Sequence, residues 1–330
     1  MKTLVIIGGG FAGSTVARKL EHNFKITLID TKNYFEFTPG ILRTIVQPSH
    51  IKKIQVLHNH YLHHTTILTD QVTEVTPTQV KIKNKIIHFD YLVICAGSTY
   101  NLPIKEQNIV IATRAEHLKK EYQQVVNAKK VLIIGGGLVG IELAAEIVTH
   151  FKDKEMTLIQ SQDTLIPRMN TKAIQYATKF LINHKVKLIY NEKVTKVNKN
   201  KVHTDKGSVI DSDMIFLCTG ITPNFESLQK HFKECLTEKH QIKVNEFLQV
   251  QGYTNIFAAG DITAVEEEKT AQNAEKQGYT VINNILNLEE NKPLVPYVSK
   301  PRIMVTSLGK YDGILTYKNF TLTGIIPGLI

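Results

Sequence analysis

The chain has 330 residues, of which 42% are hydrophobic and 21% charged, and its formal net charge is +10. This length favours two folded domains, and a composition so close to that of ordinary globular proteins excludes a disordered chain. The basic residues are scattered, with no helix-turn-helix pattern and no combined basic and aromatic RNA motif. We therefore expect no nucleic-acid partner. The positive charge instead suits anionic cofactors or an anionic membrane surface.

Cysteine usage and hydrophobicity bear on the compartment. The three cysteines, Cys95, Cys218 and Cys235, are odd in number and widely spaced, which argues against a disulfide framework and favours a reducing compartment. No run reaches the ~20 apolar residues of a transmembrane helix, and Met1 leads directly into a strand-like segment. We expect a cytoplasmic protein, with peripheral contact at the inner face of the membrane as an open alternative.

The first thirty residues predict a βαβ unit: KTLVII and FKITLID read as strands, and STVARKLE between them as a helix. Gly8, Gly10 and Gly13 form a GxGxxG motif between the first strand and the helix. Glycines at this spacing let the backbone approach a pyrophosphate group, which the N–H groups at the start of the helix then bind. Asp30 ends the second strand, where a carboxylate accepts hydrogen bonds from ribose hydroxyls.

Residues 129–160 repeat this pattern as KKVLII, GGGLVG, IELAAEIVTHF and KEMTLIQ. Gly135, Gly137 and Gly140 form a second GxGxxG motif, so a second nucleotide is predicted. Gln160 occupies the position that Asp30 has in the first unit, and it neither repels a 2′-phosphate nor pairs with one. NADH and NADPH both stay open, with weak discrimination and a slight preference for NADH expected.

Short strands follow each unit. TTILTDQVTEVTP, QVKIKN and KIIHFDYLVICAG alternate polar and apolar residues as short antiparallel strands do before a buried strand, and KVKLIYNEKVTKV begins a second such run. Further on, TNIF leads into AAGD at 258–261, and a helix is predicted over 270–288.

Five motifs occur together in a characteristic order: GGGFAG with Asp30, CAGS at 95–98, GGGLVG, CTGITPN at 218–224, and AAGD. In this order they resemble the pyridine-nucleotide-disulfide-type flavoprotein superfamily. Within it, the chain is most similar to the ferroptosis suppressor and apoptosis-inducing-factor-like quinone reductases, with type II NADH dehydrogenases as close relatives. The resemblance covers residues 2–313.

The resemblance implies an α/β fold with two Rossmann-like dinucleotide-binding domains, inserted antiparallel strands and a small C-terminal segment. The implied FAD domain comprises 1–103 and 225–292, the NAD(P)H domain 104–224, and a C-terminal interface segment 293–330. An interface segment of this kind implies a homodimer as a further expectation.

The resemblance also assigns residues. The positions expected at FAD are Gly8, Gly10, Phe11, Ala12, Gly13, Asp30, Thr31, Arg43, Val72, Ala96, Gly97, Gly260, Asp261 and Ala271. Those expected at the nicotinamide nucleotide are Gly135, Gly137, Gly140, Glu142, Gln160 and Gly220. Without the resemblance, Arg43 would be read as a solvated charge and Glu142 as an acidic residue that complements a helix dipole.

The segment TAQNAEKQ at 270–277 resembles the AQxAxxQ element that lies between flavin and quinone in type II NADH dehydrogenases. Gln272 and Gln277, together with Glu142, are therefore the predicted catalytic residues. Five positions along a helix separate the two glutamines by about 140°, so both cannot touch the same atom. Without the resemblance this segment is an ordinary polar helix start.

These observations predict an FAD-dependent NAD(P)H:quinone oxidoreductase, in which hydride passes to FAD and two electrons then pass to a quinone. A reductase of a small iron–sulfur protein such as rubredoxin or ferredoxin is the first alternative, because a basic surface suits an acidic partner. A non-enzymatic redox sensor that responds to bound nicotinamide nucleotide is the second.

Two further chemistries are disfavoured. A disulfide or sulfide:quinone reductase needs a pair of cysteines near the flavin, and this sequence offers none with suitable spacing. His58, His60, His63 and His64 lie close in sequence, but no second set of ligands accompanies them. We predict no metal site and interpret these histidines as a solvated face.

Overall fold

The computed structural model describes residues 1–100 and 111–329, and it has the predicted α/β architecture. The first βαβ unit builds a parallel sheet whose strands are, in spatial order, Ile256–Ala258, Tyr91–Ile94, Thr3–Ile7, Lys25–Asp30 and Thr65–Thr69. The helices Phe11–Leu20 and Ala271–Glu289 pack against each other beside it. Tyr91–Ile94 is buried along its whole length, as expected for a strand with parallel neighbours on both sides.

The second βαβ unit forms a parallel sheet in the order Lys187–Ile189, Glu155–Ile159, Lys130–Ile134 and Met214–Leu217. Its helices are Ile111–Asn127, Leu138–His150 and Thr171–Asn183. The helix Leu138–His150 is buried on nearly all sides, because the turn Leu42–Ile45, the helix Thr171–Asn183 and the strand Met304–Ser307 pack against it in addition to the sheet. Its sequence is correspondingly apolar around most of its circumference.

Each unit carries a three-stranded antiparallel sheet. The strands are Val72–Val75, Gln79–Ile82 and Lys85–His88 in the first unit, and Val194–Asn198, Lys201–Thr204 and Val209–Asp211 in the second. The prediction that TTILT and KVKLI begin these antiparallel sheets is wrong: both form parallel edge strands of the main sheets. An alternating pattern reports which side chains are buried but does not show which neighbour supplies the backbone hydrogen bonds.

The two units are joined where Ser98–Thr99 pairs antiparallel with Thr222–Pro223. A further small ribbon joins Tyr34–Glu36 to Gln55–Leu57, near the short helix Ile51–Ile54. The division of the chain into 1–103 with 225–292, 104–224 and 293–330 stays a prediction, and its first boundary lies outside the described residues.

The C-terminal segment forms the strands Met304–Ser307, Gly313–Tyr317 and Phe320–Gly324 and the short helix Ile325–Gly328. It is held mainly to the second unit. Tyr176 donates its hydroxyl to Asp312 at 3.0 Å, and Thr321 donates to the Asn170 side chain at 2.8 Å. These bonds place residues 299–307 along the gap between the two units.

None of the helices in the described ranges combines the length and the apolar character that crossing a membrane requires.

Candidate functional site

A single cavity of about 2400 Å³ lies between the two units, and both glycine-rich loops open onto it. Residues 299–307 and the start of the helix Ala271–Glu289 complete its wall. The cavity therefore brings together regions that are far apart in sequence, and it offers room for two nucleotides side by side.

The first glycine loop can be built only with glycine at two positions. Gly8 has a φ of +95°, and a Cβ atom there would collide with the carbonyl oxygen of Cys95. A Cβ atom at Gly13 would collide with the carbonyl oxygen of Gly8. Gly10 precedes the helix and has no atom within 4 Å of where its Cβ would lie. The loop thus packs tightly on its inner side and leaves the N–H groups of the helix start open to the cavity, which fits a pyrophosphate.

Asp30 lies behind this loop with its carboxylate buried. It accepts hydrogen bonds from the Gly9 N–H and, at 2.8 Å, from the Lys32 N–H. The Lys32 ammonium is 3.5 Å from the same carboxylate. This arrangement holds the acid at the end of its strand, where the motif predicts a contact with ribose.

His58 packs directly against Gly9 and is fully buried. One ring nitrogen lies 2.6 Å from the Tyr61 hydroxyl, and burial lowers the pKa of the imidazole. The interpretation of the histidine cluster as a solvated face is therefore wrong for His58, while His60, His63 and His64 are exposed. Sequence spacing could not separate them, because His58 begins the short turn that carries the chain beneath the loop.

Most other predicted FAD positions line the cavity: Phe11, Ala12, Thr31, Val72, Ala96, Gly97, Gly260, Asp261 and Ala271. Arg43 is not part of this wall. Its guanidinium pairs with Glu146 at 2.8 Å and donates to the Gly309 carbonyl at 3.1 Å, which ties the first unit to the second and to the C-terminal segment. The contacts of all these residues with FAD stay predictions.

The second glycine loop repeats the geometry of the first. Gly135 has a φ of +110°, and Cβ atoms at Gly135 and Gly140 would collide with the carbonyl oxygens of Cys218 and Gly135. Gly137 again has open space. Gln160 accepts a hydrogen bond from the Gly136 N–H at 3.1 Å and donates to the Thr164 carbonyl at 3.2 Å. Both ends of its amide are therefore occupied within the protein. Gly220, also at a φ of +110°, lies on the same wall.

Glu142 lies in the second turn of the helix that follows this loop and reaches the cavity wall. Burial raises its pKa to about 7, and the neighbouring Glu146 adds to the effect. The Ser307 N–H donates to the carboxylate at 3.0 Å and partly offsets this rise. Glu142 can hold or release a proton near neutral pH. Ser307 was not predicted as a site residue, because the resemblance assigned its segment to an interface and not to the cavity.

The two predicted catalytic glutamines occupy different environments. The helix Ala271–Glu289 is capped by the Thr270 hydroxyl, and Gln272, in its first turn, is exposed on the cavity wall. Gln277 is 1% exposed and does not belong to that wall. It accepts a hydrogen bond from the Gly260 N–H at 2.7 Å and donates to Glu267 at 2.6 Å. Its geometry is that of a residue that positions Gly260, and the catalytic roles of both glutamines stay predictions.

All three cysteines of the chain lie in the described part, and none is bonded to another. Burial raises the pKa of Cys95 and of Cys218 to about 12, so both are protonated thiols at neutral pH. Burial also raises the pKa of Cys235, whose thiol faces the Gln251 carbonyl at 3.3 Å. A thiolate is the reactive form of cysteine, so these residues are poorly suited to redox exchange.

Comparison with known proteins agrees with this geometry. The sequence model of the family described as pyridine nucleotide-disulphide oxidoreductase matches residues 2–278. The apoptosis-inducing factor homolog B of Dictyostelium discoideum is 34% identical over 95% of this chain and 89% of its own length. Ferroptosis suppressor protein 1 of Homo sapiens is 29% identical over 94% of this chain and 87% of its own. The family match covers both glycine loops.

Among solved structures, NDH2 of Plasmodium falciparum in complex with NADH superposes with a TM-score of 0.85. It shares 15% sequence identity, and the match covers 98% of this chain and 91% of that one, so it supports the fold. The family and the cofactors predicted from the motifs are confirmed. The two glycine loops and the cavity between them fit this family. The chain belongs to the pyridine nucleotide-disulphide oxidoreductases and is an FAD-dependent enzyme that oxidises NAD(P)H.

Proposed function

We propose that this enzyme is an NAD(P)H:quinone oxidoreductase. The observation that carries the proposal is the position of the segment resembling AQxAxxQ: its first residues, Ala271 and Gln272, lie on the cavity that both glycine loops share. An acceptor bound there would be within reach of a cofactor held by the first loop. The named relatives and the resemblance to quinone reductases support the same reading.

When bound, FAD supplies the redox chemistry, taking a hydride from NAD(P)H and passing two electrons onward. The protein contributes binding and proton management. Gly8 to Gly13 and Asp30 hold the first nucleotide, and Gly135 to Gly140 hold the second. Glu142, with a pKa of about 7, holds a proton at the cavity wall next to the second loop. Gln272 offers an uncharged amide that donates and accepts hydrogen bonds on the side where the quinone would bind. The start of its helix adds partial positive charge there.

A relay through a protein disulfide is disfavoured by the cysteine chemistry. Each of the three thiols has a raised pKa, and none lies in a pair. FAD held by the first loop would then pass its electrons directly to an external acceptor. A quinone fits this requirement because it accepts two electrons and two protons without a covalent partner in the protein.

We also propose that the C-terminal segment brings the enzyme to its quinone by touching the membrane surface. Five large apolar side chains within 311–329 are more than half exposed: Tyr311, Phe320, Ile325, Ile326 and Leu329. Lys310 and Lys318 lie over the rings of Tyr311 and Tyr317, at 4.8 and 5.5 Å from the ring centroids. Apolar and basic groups on one surface suit an anionic bilayer. A cytoplasmic location and a homodimer stay predictions.

The deciding experiment is an anaerobic two-step reaction followed by stopped-flow absorbance. The protein is first reduced with NADH and then mixed with a water-soluble short-chain ubiquinone, with oxidised rubredoxin, or with buffer. Rapid reoxidation by the quinone and slow reoxidation by rubredoxin is the expected result. Faster reoxidation by rubredoxin would move the iron–sulfur-protein reductase ahead of the quinone reductase, and reoxidation by neither acceptor would favour a redox sensor.

A further inference from the structure

The walls of the cavity beside the two glycine loops correspond residue by residue. The Gly9 N–H donates to the Asp30 side chain, and the Gly136 N–H donates to the Gln160 side chain. The Asp70 N–H then donates to the Asp30 carbonyl at 3.0 Å, just as the Glu192 N–H donates to the Gln160 carbonyl at 3.3 Å. The same two hydrogen bonds therefore occur in each unit, so Asp30 corresponds to Gln160 and Asp70 corresponds to Glu192.

The segments after these acidic residues continue the alignment. DQVTEV at 70–75 and EKVTKV at 192–197 share Val-Thr-x-Val, and each begins the first strand of a three-stranded antiparallel sheet. Both strands carry an irregularity at the same place, between Val72 and Glu74 and between Val194 and Lys196. Gln71 in the first unit thus corresponds to Lys193 in the second, and both line the cavity.

The charges at these matched positions differ. In the first unit the buried Asp30 carboxylate is balanced by Lys32, and Gln71 is neutral. In the second unit Gln160 is neutral and Lys193 is a cation, and no ion pair holds its ammonium within 1–100 or 111–329. The neighbouring Glu192 also lies on the wall, but its carboxylate accepts the Thr204 hydroxyl at 2.6 Å. The second unit has lost the acid that excludes a ribose phosphate and gained a positive charge facing the same space.

We propose that Lys193 is a specificity-determining residue that binds the 2′-phosphate of NADPH. The inference rests on the proposed placement of the nicotinamide nucleotide in the second unit. A carboxylate at the end of the second strand recognises an unmodified ribose, whereas a basic side chain nearby accommodates its 2′-phosphate. Lys193 lies 33 positions beyond Gln160 and reaches this site only through the pairing of its segment with the strand end. A preference for NADPH therefore replaces the slight preference for NADH that Gln160 alone suggested.

The test is isothermal titration calorimetry of the FAD-loaded protein with adenosine 2′,5′-bisphosphate and with 5′-AMP, which differ only in the 2′-phosphate. The wild-type protein is expected to bind the bisphosphate about tenfold more tightly, the scale of one charge-assisted phosphate contact. Lys193→Gln should remove this difference and leave the affinity for 5′-AMP unchanged. Lys196→Gln, which removes the same charge three residues further on, from the exposed strand Val194–Asn198 and not from the cavity wall, should retain it.

The reciprocal variant strengthens the design. A double variant, Gln160→Asp with Lys193→Gln, gives the second site the residues of the first unit. It should favour 5′-AMP over the bisphosphate. A preference for the bisphosphate that survives in Lys193→Gln, or that Lys196→Gln reduces equally, would overturn the proposal.

The placement of the nucleotide is checked separately with Gly137→Val, which fills the open side of the second loop and should abolish binding of both ligands. If that variant binds both ligands normally, the nucleotide does not occupy the second unit, and this inference fails together with the proposed placement. If Gly137→Val abolishes binding while wild type binds the two ligands equally, the inference about Lys193 alone fails.

Discussion

The two glycine loops have the same backbone shape but are supported from behind by different chemistry. In the first loop, Gly9 packs against the imidazole of His58, whose ring lies 2.6 Å from where a Cβ atom would be. In the second, the corresponding Gly136 packs against the methyl groups of Leu165 at the same distance. Asp30 and Gln160 extend the contrast, since one can ionise and the other cannot.

This difference shows that glycine contacts with the neighbouring strand set the shape of each loop. The side chains packed behind the loop set its response to pH. Both loops need glycine because a carbonyl oxygen occupies the space of a side chain. Among the described residues, Asp30, His58, Lys32 and Tyr61 gather behind the first loop, whereas Gly136 of the second loop packs on Leu165 and Gln160. We therefore expect steric changes to affect the two loops equally and changes of pH to affect them unequally.

The largest effect is expected from Gly13→Ala and Gly140→Ala, because each added Cβ atom would collide with a backbone carbonyl that cannot move far. Each substitution should destabilise its unit by about 3 kcal/mol, the upper end for overpacking. Gly13→Ala should yield protein without FAD, and Gly140→Ala should retain FAD but lose NAD(P)H binding. Visible absorbance and calorimetry separate these outcomes.

Gly10→Ala and Gly137→Ala are the matched controls, since both positions have open space within the protein and neither has a positive φ. Their apo-proteins should melt at wild-type temperatures while nucleotide affinity falls. An equal loss of melting temperature in all four variants would show that the collisions do not determine the shape of the loops.

Glu142→Gln sharpens the comparison in the second unit. It should slow flavin reduction by NADH about tenfold while leaving FAD bound, as expected for loss of a carboxyl group that holds or releases a proton beside the nucleotide. Stopped-flow reduction measures this directly. A wild-type rate together with wild-type nucleotide affinity would leave Glu142 as a structural residue of its helix.

The same variant should change the dependence of stability on pH. The folded-state pKa of Glu142 is about 7, above its ordinary 4.5, so the wild type loses stability as pH rises from 4.5 through 7. Because the carboxylate also reaches the cavity, this loss should be about 1–2 kcal/mol, less than the full shift would give. Glu142→Gln should remove it, as thermal melts between pH 5 and 8 would show. Parallel curves for the two proteins would contradict the raised pKa.

Gln272→Ala and Gln277→Ala compare the two ends of the helix segment that faces the first loop. Gln277→Ala leaves the buried Gly260 N–H without its acceptor and should cost about 1–3 kcal/mol in stability. Gln272→Ala should leave the melting temperature unchanged and slow reoxidation by quinone more than reduction by NADH. If Gln277→Ala instead melts normally and slows only reoxidation, its direct catalytic role would be supported.

The smallest effect concerns His58, the ionisable support of the first loop. Burial lowers its folded-state pKa below 6.5, so the stability that the neutral ring contributes is present above pH 6.5 and is lost as pH falls through the folded value. We expect FAD affinity to fall a few-fold between pH 7 and pH 5, and His58→Gln to flatten that decline. Fluorescence of released FAD measures it. An unchanged decline in the variant would show that His58 does not cause the pH dependence.

Motifs predicted the two units well because four glycines of the loops are required by contacts with nearby backbone. Requirements of this local kind appear in the sequence as fixed spacings. At Gly8, Gly13, Gly135 and Gly140 a Cβ atom would collide with a backbone carbonyl oxygen, while their contacts with nucleotides stay predictions. The contacts that could not be predicted join distant segments, such as Ser307 with Glu142 and Arg43 with Glu146. A single hydrogen bond between distant segments leaves no periodic pattern in the sequence of either segment. Gln277 is a related case: its motif was recognisable, but whether its side chain faces the cavity or the core depends on packing against Gly260.

The antiparallel pair Ser98–Thr99 and Thr222–Pro223 means that the chain leaves the first unit and returns to it at adjacent points. Asn224 reinforces the crossing by donating to the Ala96 and Gly97 carbonyls at 2.6 and 3.1 Å. The second unit is therefore an insertion whose ends need no long connection. A different nucleotide-binding unit with equally close ends could be inserted without rerouting the first sheet, provided that it also replaces the contacts of the helix Leu138–His150 with Arg43 and with the turn Leu42–Ile45.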